Sequence, residues 1–214
     1  MEYSLQGGKL SALFYLYCMK QHALITTLQR YTHFPDEAAT YFFSFFEERK
    51  YKRGDLLLQE GKVAHEAFFV VKGALRQYFL NEAGIEKTCN FAFENEFLTD
   101  LESFSRQSRA ASNITALEPV TCLVISCVNI VEAVKTCPPA AEFFRIVVEN
   151  VATENIRRTK SLLSLSPEKQ FEELLENKPA ILQRVPQRYI AQYIGIAPES
   201  LSRIRKRLMV PQKS

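Results

Sequence analysis

Between residues 187 and 207 the chain carries side chains suited to reading DNA. Glu199, Ser200, Ser202, Arg203, Lys206 and Arg207 fall in one short run, preceded by Gln187 and Arg188. An arginine can bond a guanine edge through two parallel N–H donors, and a glutamate can accept from a cytosine amino group. Lysines and further arginines would hold phosphates, which position a protein on the duplex without reading it. The positive charge is local. Residues 185–214 hold six Lys or Arg and one acidic residue, a net of +5, while the whole chain is only +3, leaving −2 for the rest by difference. Basic helical ends are common on proteins that never meet nucleic acid, so charge argues here only together with spacing.

The spacing predicts two short helices meeting at Gly195. The first opens with Pro186 at a first helical position and sets Ile190, Ala191 and Ile194 on one face. The second opens at Pro198-Glu199 and sets Leu201, Ile204 and Leu208 on one face. Gly195 suits the left-handed backbone that ends a helix, and Ala191 is small where two steeply crossing helices touch. This is the pattern of a helix-turn-helix, whose second helix enters the major groove. Arg203 and Glu199, four residues apart, would share the face opposite the apolar one. After Leu208 only six residues follow, too few for a β-hairpin wing.

The rest of the chain bounds the class. The 214 residues fit one to two domains and have an ordinary soluble composition, 47% hydrophobic and 24% charged. Five cysteines (Cys18, Cys89, Cys122, Cys127, Cys137) without a close CxxC pair argue against a disulfide framework and for a reducing, cytoplasmic setting. Three histidines (His22, His33, His65) lie far apart, so no metal spacing emerges, and no Ser-His-Asp set, phosphate loop or carboxylate pair points to an enzyme. No stretch reaches the roughly 18 apolar residues of a membrane span. Residues 1–20 are set apart by the apolar run Leu10–Met19 between Lys9 and Lys20, an extension with Met19-Lys20 as an alternative natural start.

From His22 to Arg49 the pattern is helical, with Leu24, Ile25 and Leu28 in register and an opening at Pro35-Asp36-Glu37. Residues 54 to about 127 read as short strands: Phe68–Val71 ending at Lys72-Gly73, Leu75–Leu80 ending at Asn81-Glu82-Ala83-Gly84, Thr88–Phe93 and Val120–Ile125. Strands this close suggest a barrel or jelly roll. Pro138-Pro139 open a long helix to about residue 163. Its apolar residues Phe143, Phe144, Val147, Val148, Val151 and Ala152 are too many for one stripe, so burial on two sides and a dimer are expected. Ser166 should cap a helix beginning at Pro167, built on Phe171, Leu174 and Leu175 and closed by Asn177-Lys178-Pro179.

Gly54, Gly61 and Gly73 stand as G-x6-G-x11-G, with Phe69-Val70-Val71-Lys72 leading into the last. That resembles the β-roll of cyclic-nucleotide-binding domains. With the C-terminal helix-turn-helix it resembles the Crp/Fnr family of bacterial transcription regulators over about residues 22 to 208. The run Leu162–Arg207 is especially similar to short-tailed members of Bacteroidetes-type bacteria. The resemblance implies an α+β chain of four parts. An N-terminal extension (1–20) precedes a cyclic-nucleotide-binding-like β-roll (21–137). A dimerisation helix (138–163) and a helix-turn-helix DNA-binding domain (164–214) follow. It implies a homodimer on near-palindromic double-stranded DNA, with RNA polymerase as a further partner. The rival from another class is a ligand-binding or scaffolding module whose C-terminal helices contact a protein.

The effector cassette departs from the family pattern. Members that bind cyclic AMP surround its ribose and phosphate with a Gly-Glu pair and an Arg followed by Ser or Thr. Here the matching positions are Thr99 and Asp100, then Ala110 and Ala111, with Leu101 beside them. Arg109 is one residue away, and in a strand that points it to the opposite face. A buried phosphate without a guanidinium lacks its strongest partner. The Thr-Ser pair that holds adenine in such members is replaced by Asn155 and Ile156. Cyclic AMP is therefore not expected as the effector. The scattered cysteines likewise do not fit the family's iron–sulfur members, and nothing supports haem.

Overall fold

A computed structural model describes residues 23–30 and 32–209; residues 1–20, set apart above as an extension, lie outside the described residues. Helix α1 covers 23–30 and α2 covers Asp36–Phe43. The helical reading of His22–Arg49 overshoots, because β1 (Glu47–Tyr51) already begins at Glu47 and only Phe42 and Phe43 of the phenylalanine run lie in a helix. Propensity gives no break there; pairing does, since Glu47–Tyr51 lies antiparallel to Val120–Val124.

Two four-stranded sheets form the roll. One has the order β1, β8 (Val120–Ser126), β3 (Glu66–Lys72), β6 (Phe97–Leu98). The other has the order β2 (Leu56–Leu58), β7 (Asn113–Ala116), β4 (Leu75–Leu80), β5 (Glu86–Ala92). The inward residues, among them Phe68, Val70, Leu75, Ile114, Leu123 and Ile125, form the main core with Leu24, Leu28 and Phe42 of the N-terminal helices. Gly73 turns β3 into β4 at φ +104°, and a Cβ there would lie 2.7 Å from the Pro119 carbonyl oxygen, so no other residue fits.

Two short helices escaped the sequence pattern: α3 (Leu101–Arg106), and α4 (Cys127–Thr136), which leaves β8 without a break. Helix α5 (Pro138–Ser164) follows as expected, closing at Leu165. Then come α6 (Pro167–Asn177), capped by the Ser166 side chain on Lys169 N, and α7 (Ile181–Arg184). Helix α8 (Gln187–Ile194) and α9 (Pro198–Met209) are the last elements among the described residues. Pro186 stands at the N-cap of α8, not inside its first turn.

The C-terminal helices build a second core from Phe171, Leu174, Ile181, Ile190, Ala191 and Leu201. Ala74, Phe91 and Leu117 of the β-roll belong to that same core. Nothing in the residue pattern signals that α8 rests on β5, which it does through Gln192 against Thr88 and Tyr193 against Phe91. The dock is also charged. The Arg76 side chain, 1% exposed, donates to Glu86 (2.8 Å), Thr88 (2.9 Å) and the Gln192 carboxamide oxygen (2.8 Å). Its guanidinium lies 3.8 Å from the Tyr189 ring centre. Arg184 bonds both carboxylate oxygens of Glu94 and reaches Glu118, and Lys178 bonds both oxygens of Glu96.

Candidate DNA-reading face and effector cavity

Gly195 ends α8 at φ +80°, and Ile196 N–H then bonds Ala191 O at 3.0 Å, reversing the chain within three residues. Ala191 is fully buried beneath α9, and Leu201 and Ile204 pack down on α8. Leu208 does not join them; it is 39% exposed near the end of α9. The core stripe is one turn shorter than the spacing suggested, because α8 ends before it can cover a third turn.

On the other side of α9, Glu199, Ser202, Arg203, Lys206 and Arg207 are all exposed, and Ser200 is half-buried. Arg203 donates to the Ser200 hydroxyl at 3.2 Å, which holds its guanidinium beside the start of the helix. Arg207 pairs with Glu168 of α6 at 3.0 Å, so its charge is partly answered within the chain. Gln187 and Arg188 stand exposed at the start of α8, with Arg188 stacked on Tyr189 at 4.6 Å. Arg203, Lys206 and Glu199 thus share one open face.

The effector cassette is less coherent. Asp100 caps α3, accepting from Ser103 N–H (3.1 Å) and from the Ser112 hydroxyl (2.7 Å), and is buried. Both of its oxygens are engaged by the protein, which leaves it poorly placed for the ribose contact its position suggested. Arg109 and Ala111 are exposed, while Ala110 is buried and bonded through its backbone to Lys62 and Gly61. Arg106, also exposed, pairs with Glu102. Only Thr99 and Leu101 of the six expected residues line a cavity.

That cavity, about 460 Å³, lies between the roll and α5. Its walls are mostly apolar, including Phe97, Leu98, Phe104, Ile130, Phe144 and Val147, and none of its lining residues is charged. Two features hid it from sequence. A β-bulge after Gln77 pairs Gln77 with Asn90 and Tyr78 with Thr88, so Cys89 is the extra residue and both Cys89 and Asn90 line the cavity. The apolar residues of α5 do more than face a partner: Phe143 is in the roll's core, while Phe144, Val147 and Val151 wall the cavity. Burial pushes the Cys89 thiol up to about 11, and that of Cys122 to about 12. Beyond Cys89 and Asn155, a second cavity of about 450 Å³ opens toward the C-terminal helices. Its charged residues are engaged: Lys178 with Glu96, Arg157 with Glu154, and Arg158 stacked 3.2 Å from the Tyr193 ring centre while donating to Tyr193 O.

Residues 48–136 match the sequence model of the cyclic nucleotide-binding domain. No curated protein sequence matches the chain. Among solved structures, FixK2 from Bradyrhizobium japonicum aligns at 15% identity over 76% of this chain and 84% of its own, with a TM-score of 0.67. A regulator assigned to the Crp/Fnr family from Eubacterium rectale aligns at 16% identity over 81% and 83%, with a TM-score of 0.62. A cyclic nucleotide-binding domain thus occupies residues 48–136, and the chain shares its overall fold with these two proteins. The c-di-GMP-responsive regulator CLP of Xanthomonas campestris has the same fold at 15% identity, over 81% of this chain and 91% of its own, with a TM-score of 0.65. At these identities the likeness is one of fold. Among the described residues no group of His, Cys, Asp and Glu could hold a metal, and no helix is long and apolar enough to cross a membrane.

Proposed function

We propose that the chain is a DNA-binding transcription regulator acting as a homodimer, with α9 as the reading helix. The observation that carries this is the separation of α9 into a buried face (Leu201, Ile204) and an open one (Glu199, Arg203, Lys206). Arg203 reads a guanine and Glu199 a cytosine amino group, while Lys206 holds a phosphate. Dimerisation is supported by a second stripe on α5. Ile156 and Leu163 are 58% and 82% exposed and fall on one helical face with Ala152, and Val148, 47% exposed, adjoins that face at the rim of the cavity. A two-fold dimer then reads a near-palindrome with half-sites about 10 base pairs apart. The β-roll is a sensor whose cavity is not built for cyclic AMP. Asp100 is committed to Ser103 and Ser112, Arg109 stands outside, and the nearest cations, Arg157, Arg158 and Lys178, line the adjoining cavity and are bonded within the protein.

The test is selection of random duplexes by the wild type and by Arg203→Ala. The variant should lose roughly 1–3 kcal/mol on the selected site and relax its preference at one position per half-site. An unchanged motif would show that α9 is not the reader. Retention on DNA that does not weaken steeply with salt would instead favour a protein partner for these helices.

A further inference from the structure

The cavity under α5 has a composition that selects the chemistry of its ligand. Every lining side chain is neutral, and most are apolar. Of its polar groups, the Thr99 hydroxyl donates to Glu66 O (2.9 Å) and the Ser105 hydroxyl to Glu102 O (3.3 Å), so both protons are engaged within the protein. Three carboxamides remain. Gln77 uses its Nε2 on Ser112 (2.7 Å) and keeps its carbonyl oxygen, while Asn90 accepts from Phe91 N–H (2.8 Å) and keeps its amide nitrogen. Asn155, exposed at the edge of the cavity, has a side chain with no hydrogen-bond partner among the described residues.

An anion brought here would give up its water for neutral dipoles and apolar carbon, a cost that only a paired cation repays. A neutral molecule meets the opposite balance: apolar walls cover most of its surface, and the carboxamides orient one or two polar groups. At liquid-like density 460 Å³ admits on the order of 15 non-hydrogen atoms.

We propose that the cavity between the β-roll and α5 binds an uncharged, largely apolar small molecule bearing a hydrogen-bond donor or acceptor, held by Gln77, Asn90 and Asn155. This rests on the reading that the site is not built for a cyclic phosphate, and gives it a ligand class. The position suits an effector. In β4, Gln77 faces the cavity while its neighbour Arg76 faces α8, and in β5 Asn90 faces the cavity while Thr88 and Phe91 face the C-terminal helices. One pair of strands therefore has the ligand on one side and the first helix of the DNA-binding unit on the other.

Two probes with one skeleton differ by a sulfonate, which adds charge and bulk together: N-phenyl-1-naphthylamine, which is neutral with a single N–H, and 1-anilinonaphthalene-8-sulfonate, its anionic counterpart. Fluorescence titration of the full chain should give one neutral probe bound per chain, at least tenfold tighter than the sulfonate. Cyclic AMP should not displace it. Val151→Trp, which fills the cavity from α5, should abolish the signal while circular dichroism and retention on DNA persist. In the wild type the bound probe should slow alkylation of Cys89, read by peptide mass. No binding to the full chain, whether a partner's α5 or residues 1–22 fill the space, overturns the proposal. So does equal affinity for the sulfonate, or binding that survives in both Val151→Trp and the Cys89 footprint. Displacement by cyclic AMP would sink the reading of the roll as well, and loss of DNA sequence preference in Arg203→Ala tests the other half separately.

Discussion

The cavity under α5 and the outer face of α9 are opposites built from one chain. The first is a recess lined by neutral, mostly apolar side chains; the second is exposed and carries Arg203, Lys206 and Glu199. A charge on α9 stays hydrated until phosphate replaces the water, so it costs the folded state little. A charge in the cavity would need a partner for as long as the cavity is empty. On the proposed function, the difference teaches where ligand selection resides: charge selects at α9, and exclusion of charge selects beneath α5. Between them stand β4 and β5, joined to α8 through Arg76.

Breaking that joint should have the largest effect. Arg76→Ala removes a buried guanidinium bonded to Glu86, Thr88 and Gln192 and stacked on Tyr189, at a cost of about 3 kcal/mol in chemical denaturation. Because Ala74, Phe91 and Leu117 share a core with the C-terminal helices, the wild type should unfold in a single transition by calorimetry. In Arg76→Ala the helices should begin to melt separately. A second transition already present in the wild type would mean that the two regions are independent.

The buried thiol sharpens the description of the cavity from the other side. Burial raises Cys89 from 9.0 to about 11. In the unfolded chain the thiol ionises first, so its contribution to stability is complete below pH 9 and is lost as the pH rises through 11. Wild type should lose on the order of 1–2 kcal/mol more than Cys89→Ala between these limits, measured by denaturant titration at each pH. Parallel pH curves for the two proteins would show that water already reaches the thiol.

The smallest effect is expected at Lys206. Its replacement by Ala should weaken binding to all duplexes alike, by less than about 1 kcal/mol, and lower the slope of log affinity against log salt by roughly 1. An altered base preference would instead place Lys206 among the readers.

Much of the C-terminal unit was legible in order along the chain. The cap at Ser166, the close at Asn177, the turn at Gly195 and the opening at Pro198 all depend on contacts within a few residues, which neighbouring side chains dictate. Strands β3 and β4 were legible for a similar reason: Phe68–Val71 and Leu75–Leu80 are dense in β-formers and separated by a glycine that only a turn explains.

What the sequence could not fix was set by pairing and docking at a distance. The strand at Glu47–Tyr51, polar throughout most of its length, exists because β8 offers its edge. Asp100 is a helix cap as much as a cassette residue, and which role holds depends on Ser112, twelve residues on. The bulge that turns both Cys89 and Asn90 into the cavity follows from the register of β5 on β4, and no composition records a register. The width of apolar surface on α5 was visible in Phe143–Ala152, but its division between core, cavity and exposed stripe was not. Local chemistry determined α9 and its exposed, mostly basic face. The neutral cavity was decided by how strands and helices from six parts of the chain surround a space that no single segment outlines.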